Sequence, residues 1–147
     1  MNARHPTPLR QSGFTLLEIM VVIFIIGLLV AIVAPNVLSN QDDAMRQKAR
    51  ADIATLEQAL DMYRLDNLRY PSDDQGLGAL VTRPSQPPQP DNYRQGGYVR
   101  RLPTDPWGNA YHYRQPGEHA DIDIYTLGAD ARPGGEGLDA DIGNWML

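Results

Sequence analysis

Sixteen consecutive uncharged residues, Ile19 to Ala34, follow a single carboxylate, Glu18. No other feature of the chain limits its fold so tightly. As a helix, residues 14–34 extend roughly 31 Å at about 1.5 Å per residue, close to the thickness of a bilayer's hydrocarbon layer. A carboxylate at that depth costs roughly 2.5–3.5 kcal/mol on insertion scales, so Glu18 is expected to have a partner. The uncut chain offers no obvious one. A cut between Gly13 and Phe14 would create it, because the new ammonium would stand four residues before Glu18 on the same helical face.

Three readings of the apolar segment compete. Residues 1–13 hold Arg4 and Arg10 and no acid, which suggests the basic start of a secretory signal. Against that, the apolar run is longer than such a signal's, and Ala31 to Pro35 makes a poor cleavage site. A plain anchor fits the length, with Arg4 and Arg10 cytoplasmic and the remainder outside, but it leaves Glu18 without a role other than sitting near the interface. The third reading is a leader, residues 1–13, removed ahead of the apolar run. Glu18 of one chain could then meet the new amine of a neighbour. The contact would neutralise a charge that is expensive in apolar surroundings and would fix the axial register between chains.

Net charge is −5, and the chain beyond the leader carries eleven basic and eighteen acidic residues. An acidic body argues against nucleic acid, whose phosphates require clustered Lys and Arg. There is no cysteine, hence no disulfide and no thiolate metal site. The histidines are His5 in the leader, His112 within a strand pattern, and His119. No nucleophile–base arrangement or phosphate loop accompanies them, and Gly134-Gly135-Glu136-Gly137 lacks both a lysine and a strand–loop–helix setting. An enzyme is not expected.

Beyond the membrane-length segment, residues 14–35, helical periodicity continues over 36–66. Met45, Ala49, Ile53, Leu56, Leu60 and Tyr63 form one apolar stripe, and Arg46, Lys48, Arg50, Asp52, Glu57 and Asp61 form the opposite face, solvated or turned to neighbouring chains. Pro35 removes a backbone donor and Gly27 weakens the helix upstream, so a kink and a locally extensible stretch are expected there. Residues 67–110 read as loop-rich: a helix end at Tyr70-Pro71, a short helical piece near 77–81, a proline-rich surface loop over 83–97, a short strand over Tyr98 to Leu102, and a turn around Trp107. Ala110 to Arg114 and Ile122 to Leu127 read as an antiparallel hairpin. The expectation is an α+β domain over 36–147, a long helix against about three strands.

The tail, residues 127–142, is rich in glycine and acid. Glycines permit tight turns with inward carbonyls, and with carboxylates these offer the hard oxygen set that calcium takes. A solvated acidic loop is the competing reading, the spacing is not that of an EF-hand, and nothing soft is present for zinc or copper.

Gly13-Phe14-Thr15-Leu16-Leu17-Glu18 resembles the processing site of type IV pilins and type II secretion pseudopilins. The resemblance implies that a prepilin peptidase cuts after Gly13, that Phe14 becomes the methylated terminus, and that Glu18 guides assembly. Tyr70-Pro71, Gln75 to Leu80, Pro103 to Asn109, and Leu127 through Trp145 are similar to the major pseudopilins of type II secretion. That resemblance implies a pilin-like fold and a structural calcium in the last loop. Asp130, Asp141 and the Leu127 carbonyl would be its ligands, with Asp139 a weaker candidate. The Ala131-Arg132-Pro133 stretch departs from the family's small residues. The implied protein is a single-pass inner-membrane subunit with its C-terminal domain periplasmic. Its partners would be further copies in a helical filament, the peptidase, minor pseudopilins and an inner-membrane assembly platform. A type IV pilin for adhesion, motility or DNA uptake is the alternative, disfavoured by the missing cysteine pair. A membrane-tethered calcium-binding module is a rival of another class.

Overall fold

The structure, a computed structural model, describes the backbone of residues 13–147 and the side chains of 13–32 and 41–147. The leader features at Arg4, His5 and Arg10, and the side chain of Pro35, lie outside the described residues. The chain divides into two compact units, one ending at Asn40 and one beginning at Gln41.

Helix α1 spans Leu16–Asn67. It starts at Leu16 because the Thr15 hydroxyl accepts the Glu18 N–H at 3.2 Å, supplying a partner for one of the first turn's orphan donors. Glu18 also lies in that first turn, where the helix dipole favours a negative charge. The helical backbone continues through Gly27 and Pro35, the two positions that weaken it in sequence. At the other end Leu68 adopts φ 61°, and its N–H donates to the Arg64 carbonyl at 2.7 Å, a left-handed cap that closes the last turn.

In the first unit every large apolar side chain from Phe14 to Ile32 is exposed. Among the described residues, no helix is long and apolar enough to cross a membrane; the described side chains of this run end at Ile32.

The second unit buries the predicted stripe. Ala49, Ile53, Leu56, Leu60 and Tyr63 are buried, while Met45 is half-buried. They share a core with Leu77, Ala79 and Leu80 of the 3-10 turn Leu77–Leu80, and with Tyr111, Ile122, Ile124 and Ile142. The sheet has three antiparallel strands in the order β1 (His112–Arg114), β2 (Asp123–Thr126), β3 (Ile142–Gly143). Its register pairs His112 with Tyr125, and Tyr125 with Gly143. Ile124 and Thr126 of β2 are buried, and half-exposed Tyr125 between them stacks on His112. The α+β architecture is the expected one.

Two elements differ from expectation. Tyr98 to Leu102 is not a strand. The Tyr98 and Val99 N–H groups both donate to the Leu80 carbonyl, at 2.7 and 3.1 Å, and Tyr98 packs on Tyr63 and Tyr93, so the segment wraps the end of the 3-10 turn and pairs with no strand. The third strand comes instead from Ile142–Gly143, inside the glycine-rich tail. The polar helix face is also only partly solvated. Asp52 accepts the Tyr111 hydroxyl at 2.9 Å, and Glu57 accepts the Asn144 amide at 3.0 Å. The proline-rich loop is on the surface as expected, yet tied down: Gln75 donates to the carbonyls of Gln86 and Pro88, Arg69 to that of Gln89, and Arg83 to that of Pro90.

Candidate functional site

Two regions hold the residues singled out in sequence. At the N-terminal end, Gly13, Phe14 and Thr15 precede the helix and are exposed. Phe14 is 80% exposed. Gly13 has no atom near the position of a Cβ, and its φ is not in the left-handed range, so the folded chain itself makes no demand for glycine there. Glu18 is exposed, and among the described residues its carboxylate has no cation partner within the chain.

In the C-terminal loop, Gly128 turns the chain out of β2 with φ 71°, and a side chain there would collide with the Leu138 and Asp139 carbonyls. Gly135 presses equally close to the Asp139 carbonyl. The Ala129 N–H donates to the Leu138 carbonyl at 3.0 Å, closing the loop's base. Asp141 accepts the Gly134 N–H at 2.9 Å through Oδ2, while its Oδ1 is buried with no hydrogen-bond partner. Leu127 and Asp141 line one cleft with Tyr125, Pro133, His119 and Trp145. Asp130 is exposed and accepts the Arg132 N–H at 3.1 Å in a local turn, and Asp139 is exposed. The structure thus brings Leu127 and Asp141 to one cleft, while Asp130 and Asp139 are exposed and do not line it. Among the described residues no group of three or more His, Asp or Glu side chains is arranged to hold a metal. The orphaned Asp141 oxygen is nonetheless the kind of group a cation satisfies, since an unpaired buried carboxylate oxygen carries a desolvation penalty.

Sequence reasoning missed the groups that line the other side of this cleft and hold the turn between β1 and β2. Asp123 is buried on β2 and accepts the backbone N–H groups of Glu118, His119 and Ala120 as well as the His119 ring nitrogen at 3.0 Å. Burial pushes its pKa up, but the His119 ring and the three backbone donors outweigh that and hold the carboxyl below its usual range. His119 in turn stacks on Trp145 at 3.9 Å. The one available signal was Gly117, where a side chain would collide with Asp123 and the Ala120 carbonyl.

Residues 36–145 match the family described as type II secretion system (T2SS), protein G. The chain belongs to that family. Residues 8–34 match the prokaryotic N-terminal methylation motif, which covers Gly13, Phe14 and Glu18. The chain is 60% identical over 94% of its length to the type II secretion system core protein G of Vibrio cholerae, covering 94% of that protein. It is 53% identical to the core protein G of Escherichia coli K12, covering 94% of this chain and 93% of that one. The crystal structure of the major pseudopilin from the type 2 secretion system of enterohaemorrhagic Escherichia coli aligns with a TM-score of 0.68 at 55% identity, covering 77% of this chain and 96% of that one. These relatives favour the type II secretion reading over the type IV pilin alternative.

Proposed function

We propose that the chain is the major structural subunit of a type II secretion pseudopilus. It is cut after Gly13 by a prepilin peptidase, methylated at Phe14, and held in the bacterial inner membrane by residues 14–35, with the C-terminal domain periplasmic. Subunits then polymerise into a periplasmic filament that drives folded proteins across the outer membrane, with minor pseudopilins and an inner-membrane platform as partners. The role is structural and not enzymatic. The observation that carries this reading is the exposed apolar helix from Leu16 to Ile32 with Glu18 as its only charge, joined to a body of the protein G family. Burying that surface against lipid or like helices supplies the free energy of anchoring and assembly, and Glu18 selects the register by meeting the neighbour's new amine.

Calcium in the C-terminal loop belongs to the same proposal. The orphaned Asp141 oxygen and the Leu127 carbonyl would hold it, joined by Asp130 and, less strongly, Asp139. The metal would neutralise clustered carboxylates and order the loop.

Intact-mass analysis of the chain co-expressed with a prepilin peptidase tests processing, with a polypeptide beginning at N-methylated Phe14 expected. A chain that still begins at Met1 while filaments form normally contradicts it. Loss of exoprotein release on deletion, with twitching motility unchanged, is the expected cellular result, and the reverse pattern favours a type IV pilin.

A further inference from the structure

Thr15 occupies a position the processing reading does not use. Its hydroxyl sets the helix start: it accepts the Glu18 N–H at 3.2 Å, and the first helical bond runs from the Ile19 N–H to the Thr15 carbonyl at 3.3 Å. The helix therefore begins at Leu16, two residues after Phe14, and the Gly13–Phe14 peptide bond stays in non-helical, exposed backbone. That placement matters because peptidases act on backbone that is accessible and free of internal hydrogen bonds. The two residues flanking the bond agree. Gly13 has open space around it and an ordinary φ, so its lack of a side chain serves something outside the chain. Phe14 presents an 80% exposed ring.

We propose that Thr15 is a positioning residue for maturation, acting as the N-cap that holds the scissile bond out of the helix. Without it, the next side chain upstream able to cap is Ser12, and a helix starting there takes Gly13 and Phe14 into its first turn. The reaction positioned is a hydrolysis: water adds across the Gly13 carbonyl and Phe14 nitrogen, Gly13 leaves as a carboxylate and Phe14 as an ammonium, and no further reactant is consumed. The inference rests on the processing reading above.

The test is the rate at which a prepilin peptidase cuts the full chain in membranes, across Thr15→Ser, Thr15→Asn, Thr15→Ala and Thr15→Val. Ser and Asn cap helices and are expected to stay within about twofold of the parent, while Ala and Val fall roughly fivefold. The Phe14 13Cα chemical shift should move toward helical values in the Ala and Val chains alone. Equal rates across the series overturn the cap, as does a pattern in which Ser is cut normally and Asn as slowly as Ala, which would mark direct recognition of the hydroxyl. A parent chain that remains uncut overturns the processing reading itself, and the cap with it.

Discussion

At the residue scale, two constrained positions of the folded body, one by its backbone and one by its hydrogen bonds, are ones that sequence pattern leaves unmarked. Leu68 is 91% exposed and held at φ 61° to close α1. A left-handed conformation at a residue with a Cβ costs roughly 1–2 kcal/mol that glycine avoids. Leu68→Gly is therefore expected to stabilise the fold by about 0.5–1 kcal/mol, after the greater unfolded-state entropy of glycine is deducted, read as a rise of a few degrees in Tm. A fall in Tm would mean that the leucine makes contacts outweighing its strain. Asp123 reads in sequence as the polar member of a strand, yet it holds three backbone donors and the His119 ring. Its folded pKa lies below the ordinary carboxylate value. The stability it contributes is thus present above the unfolded pKa of about 3.9 and is lost as pH falls through the lower folded value. Asp123→Asn should cost about 1–3 kcal/mol at neutral pH, because the amide NH2 must face those donors. The variant's stability should also fall less steeply below about pH 4 than the parent's. Parallel acid-denaturation curves for the two chains would show that the charge is not what holds the turn.

At the element scale, what was legible depended on whether one segment alone fixes the outcome. The stripe from Ala49 to Tyr63 repeats at helical spacing, and the structure buries it as read. The hairpin strands were legible for the same reason, through β-branched and aromatic residues at alternate positions. Tyr98 to Leu102 carries similar residues but pairs with no strand, since its backbone donors are taken by Leu80. That choice depends on a residue almost twenty positions away, which no local pattern encodes. The third strand, Ile142–Gly143, is too short to show a period at all. Its neighbour Asn144 joins the layers: its amide donates to Glu57 on α1 and to the Ile122 carbonyl, and its side-chain oxygen accepts the Ile124 N–H at 3.0 Å. Ile124 is fully buried, so Asn144→Ala strands that N–H away from water. Such an orphan costs roughly 1–3 kcal/mol. The expected outcome is a fall of that size in denaturant-derived stability, and Asn144→Asp should not recover it at neutral pH, because its second oxygen would face the Glu57 carboxylate and the Ile122 carbonyl where an amide now donates. A neutral Asn144→Ala would mean that water reaches the Ile124 amide.

At the scale of the whole molecule, the two units have different requirements. Fifteen large apolar side chains between Phe14 and Ile32 are exposed. At about 1.5–3 kcal/mol each, their transfer out of water is worth on the order of 20–45 kcal/mol, more than the roughly 5–15 kcal/mol that holds a typical domain folded. Glu18, costing roughly 2.5–3.5 kcal/mol, cannot oppose that transfer but is large enough to choose among registers. Among the described residues of the body, six buried side-chain atoms lack a hydrogen-bond partner, Arg46 Nε, Arg50 Nε, Tyr63 OH, Tyr93 OH, Trp107 Nε1 and Asp141 Oδ1, and of these only the last belongs to a carboxylate. The sequence announced acids and glycines around it, but four acids in a loop do not say which of them face inward. The structure separates them, with Asp141 Oδ1 buried while Asp130 and Asp139 are exposed. If a cation partners that buried oxygen, the ligands should rank accordingly. Millimolar calcium is expected to raise the Tm of the full chain in detergent, and a chelator to lower it. Saturation at a hundredfold excess over Kd would correspond to about 2.7 kcal/mol. Asp141→Ala should abolish the calcium-dependent difference, Asp130→Ala should reduce it, and Asp139→Ala should leave most of it. Equal loss from all three substitutions would mean that the loop rearranges around the metal and draws the exposed carboxylates inward. Identical melting of the parent with calcium and with chelator would remove the metal altogether and leave the Asp141 oxygen to a buried water.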